Sequence, residues 1–444
     1  MYIPFIYCNF AAEIEKKSKN MNAIVQFLVS NYRSIKEQRM LVMQSASIKD
    51  IAAFTMLRNG EKLLPVAAIY GANSSGKTNV IRALQLMDRM IMQSIRLNDG
   101  EDLPYDPYLF NIKSRKLPTL FEMVFIVDGH KYRYGFEYTR DKIIGEWLYE
   151  ICKTKSAVHF LRTEEGIGVE TSTFPEGVGL EDRTNDNRLF LSVAAQLGGM
   201  VSKRIMKFFQ KNLNIVSGLD TDGYEIFTKM SLHENLSFVP QMTEFYQKLG
   251  LGFEGVKVKE EIFDPSQLPE DLPSNMRSKL SRELRGKSRL IAMSEHPIFN
   301  EKGDIIEHGT FELEEIESAG TIKLFGLSGP IFDTLASGSV LVVDELDAKM
   351  HPLISQYVVR LFNSRETNPH GAQLIFNTHD TNLLSKNILR RDQIWFTEKN
   401  QQGETDLYRL MDVVMPNKQP PRNDANLERN YIAGRYGAIP YITY

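Results

Sequence analysis

Gly71-Ala72-Asn73-Ser74-Ser75-Gly76-Lys77-Thr78 matches G-x-x-x-x-G-K-[ST], and it stands between a short apolar run, Leu63 to Tyr70, and an amphipathic stretch. No other feature limits the fold as tightly. An apolar run of that length without helical period is expected to be a strand buried on both faces. After the turn, Val80, Leu84, Met87 and Ile91 recur at one-face spacing, so a helix is expected over 76–95. Strand, glycine turn and helix in that order make a phosphate cradle. The glycines let backbone N–H groups face the anion, and the helix adds its positive end. In such a loop Lys77 is expected to reach the β- and γ-phosphates and Thr78 to hold Mg²⁺.

Three further segments gain meaning beside that loop. Val340-Leu341-Val342-Val343-Asp344-Glu345 is an apolar strand ending in two carboxylates, at the sheet edge where α/β folds place ligands. Asp344 suits the Mg²⁺ shell and Glu345 the polarisation of an attacking water, although an acidic pair closing a strand is common by itself. Thr378-His379-Asp380 ends the strand QLIF, where a histidine can hydrogen-bond a γ-phosphate; a lone strand-end histidine is more often structural. Glu317-Ser318-Ala319-Gly320-Thr321 opens a helix over 322–327, with a serine and bare N–H groups suited to an anion, or simply to capping.

The remainder sorts around these landmarks. Strands are expected at 23–29, 120–127, 132–138, 339–343 and 373–376, with Asp128-Gly129 as a hairpin turn. Residues 146–309 are expected to form a mainly helical insertion, with helices at 189–210 and 240–249, a proline-broken linker at 264–273, and a basic stretch holding Arg277, Lys279, Arg282, Arg285, Lys287 and Arg289. It shows no sustained heptads, so a long coiled-coil arm is not expected. Helices are expected around 353–363 and 382–387. The expected division is an N-terminal extension 1–20, an N-lobe 21–145, the insertion, a C-lobe 310–400 and an irregular tail 401–444 packing on the core. Fold class is therefore α/β, a sheet split in sequence by an insert. The 444 residues are 42% hydrophobic with a net charge of -3, which excludes wholesale disorder and a polycationic coat. Two cysteines, Cys8 and Cys152, fit a reducing compartment, and no apolar run approaches the roughly 18 residues of a membrane helix. A cytoplasmic location without membrane attachment is expected.

The four elements, preceded by a strand and Asn31-Tyr32-Arg33-Ser34, resemble an ABC-type ATPase of the SMC and RecF kind. The runs ESAGTIKLFGLSGPIFDTLASGSVLVVDELDAKMHP, GAQLIFNTHD, RRDQIWFTEKN and YIAGRYGAIPYI are similar to the ATPase subunits of bacterial anti-phage loci of the RloA, AbiL and PARIS (AriA) type. That resemblance implies an ATPase head with a mixed or parallel sheet and flanking helices. It makes Gly71 to Thr78, with Asn79 beside them, the Walker A loop, Asp344 the Walker B metal residue and Glu345 the catalytic glutamate. It makes Asp347 the D-loop residue, His379 the switch histidine and Arg33 a nucleotide-side contact. Ser318 and Gly320 become signature residues that reach the γ-phosphate bound by a second copy, giving a homo-oligomer with composite ATP sites. The signature is not LSGGQ and no Q-loop glutamine is evident, which disfavours a transporter subunit. The implied function is a Mg²⁺-dependent ATPase that senses a phage component and restrains a separate toxic effector, probed first as a Toprim-like nuclease. The competing implication is a RecF-like ATPase that uses the basic stretch on DNA.

Overall fold

In the computed structural model the described residues are 22–48, 50, 54–152, 156–219, 222–262, 264, 273–284, 286–415, 420–422 and 424–440. The expected N-terminal extension and most of the expected linker at 264–273 lie outside them, as do the side chains of Arg277 and Arg285. Two compact units emerge, a smaller one built on Asp220–Asp333 and a larger one on Lys17–Leu219 with Thr334–Tyr444.

The larger unit holds two sheets. A six-stranded sheet runs in the order Leu213–Ser217, Val340–Asp344, Gln373–Asn377, Val66–Gly71, Ile394–Lys399, Thr405–Arg409. The first five are mutually parallel and the last is antiparallel. Parallel strands need apolar residues on both faces, and Val66–Gly71 and Gln373–Asn377 are buried at every position. Because the five share a direction, Gly71, Asp344 and Asn377 finish at the same edge. The second sheet is antiparallel and seven-stranded, and within it Ala23–Ser30 pairs with Thr119–Val127. Its hairpin from Thr119–Val127 to His130–Tyr138 turns on Asp128 and Gly129 at φ 51° and 82°, the left-handed pair that a two-residue turn demands. Gln373 ties the two sheets. Its buried amide accepts the N–H of Ile24 at 2.7 Å and donates to the carbonyl of Ile24 at 3.0 Å. Helix Lys77–Gln93 buries the expected Val80, Leu84, Met87 and Ile91.

Some expectations need correction. Residues 146–309 are not mainly helical. Strands Ser156–Thr163, Gly166–Val169, Gly255–Ile262 and Ser288–Phe299 share the segment with the helices, and the unit boundary falls near 220 rather than at 145. The first of those strands extend the seven-stranded sheet, pairing outward from Ile143–Ile151. Their residues mix polar and apolar types on a half-exposed face, which weakens the strand period. The single strand expected over 63–70 breaks at Leu64-Pro65, since proline cannot continue a ladder. The helix expected over 189–210 divides into Phe190–Gln196 and Met200–Lys211 at Gly198-Gly199, with Gly198 at φ 106°. Instead of a helix over 382–387 there is one 3₁₀ turn, Thr381–Leu383, capped by Asp380. The tail holds helix Leu427–Ile432, whose Tyr431 ring stacks on Phe396 at 5.4 Å between centroids.

In the smaller unit, helices Asp222–His233 and Val239–Leu249 accompany a three-stranded antiparallel sheet. Helix Ala319–Ser337 starts there and carries Pro330 in its interior. Proline removes the N–H that would bond the carbonyl of Gly326, and Thr228 Oγ1 supplies the missing donor at 2.5 Å. This helix, 19 residues long, is the longest among the described residues, and none forms a coiled-coil arm. Among the described residues no helix is long and apolar enough to cross a membrane.

Candidate nucleotide site

The loop after Val66–Gly71 has the backbone its sequence calls for. Gly76 lies at φ 111° and Ser74 at φ 63°. A Cβ on Gly71 would stand 2.4 Å from the carbonyl of Thr397, and one on Gly76 would stand 2.3 Å from Thr405 Oγ1, so neither glycine is replaceable without moving the floor of the loop. Asn73 and Ser74 face solvent, whereas Ser75, Gly76 and Lys77 are buried. Lys77 Nζ folds back to donate to the carbonyls of Gly71 at 2.9 Å and Ala72 at 3.1 Å. Burial pushes its pKa down to about 8, against the opposing pull of Glu345, Asp347 and Asp344. Thr78 Oγ1 donates to Asp344 Oδ1 at 3.0 Å. Residues 266 positions apart in sequence thus bring two hard oxygen donors together at the parallel strand ends.

Walker A and Walker B strands are not neighbours, because Gln373–Asn377 lies between them. The intervening strand ends in Asn377, whose amide donates to Asp344 Oδ1 and accepts the N–H of Glu345. Glu345 sits at φ 60°, a left-handed conformation that costs a non-glycine residue about 1–3 kcal/mol unless its surroundings hold it. Gly218 supports the same turn from the other side. Its N–H donates to the carbonyl of Asp344 at 2.5 Å, and a Cβ there would fall 2.0 Å from the carbonyl of Glu345. Asp347 Oδ2 accepts the N–H of His379 at 3.2 Å. The His379 ring has its pKa lowered, chiefly by partial desolvation against the site and then by Lys77, with Asp347 and Glu345 opposing.

The structure therefore gathers Gly71 to Asn79, Asp344, Glu345, Asp347 and His379 in one place. Arg33 is differently engaged. Its guanidinium pairs with Asp106 at 3.2 Å and lies over the Tyr32 ring, and the residue of that turn which reaches the P-loop helix is Ser34, through Asn79 Nδ2 at 2.7 Å. Ser318 and Gly320 belong to the smaller unit. There Ser318 Oγ accepts the N–H of Thr321 at 3.2 Å as the N-cap of its helix, on an exposed surface. Sequence reasoning missed Asn377, Gly218, Thr397 and Thr405. Asn377 alone left a signal, a polar residue closing an apolar strand.

The residues fit ATP and Mg²⁺. The glycine cradle admits close approach, Lys77 supplies a cation, and Thr78 with Asp344 supplies the one-carboxylate, one-hydroxyl set on which Mg²⁺ commonly relies beside phosphates and water. Fold and site together define a P-loop nucleotide-binding protein of the α/β class. The family described as "AAA domain, putative AbiEii toxin, Type IV TA system" matches residues 66–385, more than two thirds of the sequence, and the chain belongs to that family. It is thus an AAA-domain protein that carries a P-loop. No curated protein matches it in sequence. Among solved structures it is similar to an SMC head bound to the C-terminal winged-helix domain of ScpA (13% identity, 87% of this chain and 98% of that one, TM-score 0.45). It is also similar to the SMC head domain from Thermotoga maritima (14%, 87% and 98%, 0.39) and to the recombination mediator RecF bound to an ATP analogue (14%, 88% and 99%, 0.35).

Proposed function

We propose that this chain binds and hydrolyses ATP with Mg²⁺ and that two copies close on the nucleotide. The observation that carries the reading is the bond between Thr78 and Asp344 beside a buried Lys77, which brings the metal and cation halves of a phosphate site together. Lys77 and the loop N–H groups hold the triphosphate, while Thr78 and Asp344 hold Mg²⁺, which neutralises phosphate charge when bound. Glu345 orients the attacking water, and the ring of His379 faces the terminal phosphate beside Asp347. Ser318 and Gly320 of a second copy complete the site. Binding favours the closed pair because the ligand prefers it, and hydrolysis releases it.

In the cell this cycle gates a separate toxic effector, with a nuclease as the first class to test, in response to a phage-derived trigger. The family's description, which names a toxin and a toxin–antitoxin system, supports that setting. The RecF-like alternative gains less support. Of the basic stretch proposed for DNA, Arg289 is already paired with Glu261 at 3.1 Å. The deciding experiment is to purify the chain with its natural neighbours, identify what accompanies it, and follow Mg²⁺-dependent ATP hydrolysis. Release of an accompanying protein on hydrolysis supports the gate. Absence of ATP binding ends the whole reading, whereas hydrolysis with salt-sensitive DNA binding and no protein companion transfers it to the alternative.

A further inference from the structure

Asn377 is wholly buried in the middle of a parallel sheet, a place where an unsatisfied amide is costly and apolar residues are the rule. Its amide orientation follows from its partners. The N–H of Glu345 can only donate, so Asn377 Oδ1 faces it, and Nδ2 is left for the Asp344 carboxylate. Its main-chain carbonyl takes the N–H of Leu346 at 3.2 Å. One residue thus binds three consecutive members of the Walker B turn from the strand that separates this turn from the P-loop. The strand itself is fixed on the P-loop side, where the N–H of Thr378 donates to the carbonyl of Ile69 at 3.1 Å.

We infer that Asn377 is a positioning residue: it aims the Asp344 carboxylate at Thr78 and locks the left-handed turn that presents Glu345. The inference rests on the nucleotide-site reading above and adds the element that sets its metal half. Asp344 Oδ1 receives Thr78 and Asn377 together, so the carboxylate cannot rotate away without losing both. A filler residue of similar volume offers neither bond, and Glu345 would lose a partner for its buried turn.

Asn377→Leu keeps the branched shape, with slightly more bulk, and removes the bonds, and Asn377→Ser is the smaller second variant. ATP affinity is measured by calorimetry in EDTA and again in Mg²⁺, alongside thermal unfolding. Affinity in EDTA is expected within about twofold of wild type, while the gain conferred by Mg²⁺ shrinks about tenfold, a change of about 1.4 kcal/mol. Turnover at saturating ATP is expected to fall more than KM rises. A variant that folds and keeps the full Mg²⁺ gain overturns the inference, as does an equal loss of affinity in EDTA, which marks a merely structural amide. A wild-type protein whose ATP affinity ignores Mg²⁺ overturns the site reading underneath.

Discussion

The P-loop and the start of helix Ala319–Ser337 both open a helix, the first with a glycine turn and the second with a serine cap, and the chain finishes them differently. Around the P-loop, polar atoms are held in a continuous net. Lys77 bonds its own loop, Thr78 bonds Asp344, Asn377 bonds Asp344 and Glu345, and Ser75 Oγ meets Thr397 Oγ1 at 2.6 Å. At Ser318 the hydroxyl bonds Thr321 within its own helix turn and stays exposed. The first region is held by a sheet; the second is a capped helix end on an exposed surface. On the proposed reading, a binding half held by the sheet and an exposed completing half are what an assembly needs if the ligand is to drive its closure.

The comparison breaks most sharply at Glu345. Glu345→Gln keeps the turn's backbone and removes the carboxylate, so turnover is expected to drop about 10²–10⁴-fold while ATP binding persists and a closed oligomer accumulates. Single-turnover kinetics with size-exclusion chromatography measures both, and near-normal turnover removes Glu345 from the chemistry. The next effect separates the two regions directly. Lys77→Ala and Ser318→Arg subunits are each expected to be inactive alone, the first through lost phosphate binding and the second through a blocked partner surface. Mixed in equal amounts they should recover about a quarter of the wild-type rate, since half of random dimers are mixed and each keeps one intact site. Lack of recovery confines each site to one chain.

A smaller effect comes from the charge on Lys77. Its pKa is depressed to about 8, and phosphate binds the protonated form, so binding takes up a proton wherever the empty site is neutral. ATP affinity should be level below pH 7 and decline above about 8, approaching tenfold per pH unit. Lys77→Arg should flatten that decline, because arginine stays charged. Ser318 variants should leave the slope alone, which calorimetry at several pH values can check.

How far each region was legible follows from the same contrast. The P-loop announced itself because three demands, positive φ, close approach and a cation, fall on adjacent residues and leave a fixed spacing. Asp344 and Glu345 were legible as the end of an apolar strand. What went unread is what arrives from elsewhere in the sequence, including Gly218, Asn377, Thr397 and Thr405. Their roles depend on which strands lie side by side, and no local period encodes that order. The strands inside 146–309 were missed for a related reason. Half-exposed sheet faces such as Ser156–Thr163 alternate imperfectly, and Gly255–Ile262 reads Gly-Val-Lys-Val-Lys-Glu-Glu-Ile with half its length charged. Ser318 was legible as an N-cap, which it is, and its larger role is the part that only the mixed-subunit experiment decides.

The smallest expected effect lies beneath the P-loop, in Thr405. Its hydroxyl lies 2.8 Å from the carbonyl of Ser75 and 2.7 Å from Ser34 Oγ, and Asn79 Nδ2 donates to that same serine. A carbonyl only accepts, so the single Thr405 proton is shared between the carbonyl of Ser75 and Ser34 Oγ, which also accepts from Asn79 Nδ2. Thr405→Val keeps the shape and removes the hydroxyl, stranding the buried carbonyl of Ser75. The expected cost is about 1–3 kcal/mol of stability, visible as a lower midpoint in chemical denaturation. ATP should restore part of it, because ligand binding favours the folded cradle. Ser318→Ala loses only a cap, about 1 kcal/mol, and should gain the same ATP stabilisation as wild type under conditions where the chain is monomeric. If ATP rescues neither variant, or Thr405→Val is as stable as wild type, the P-loop is not the preorganised half and the contrast between the two regions loses its basis.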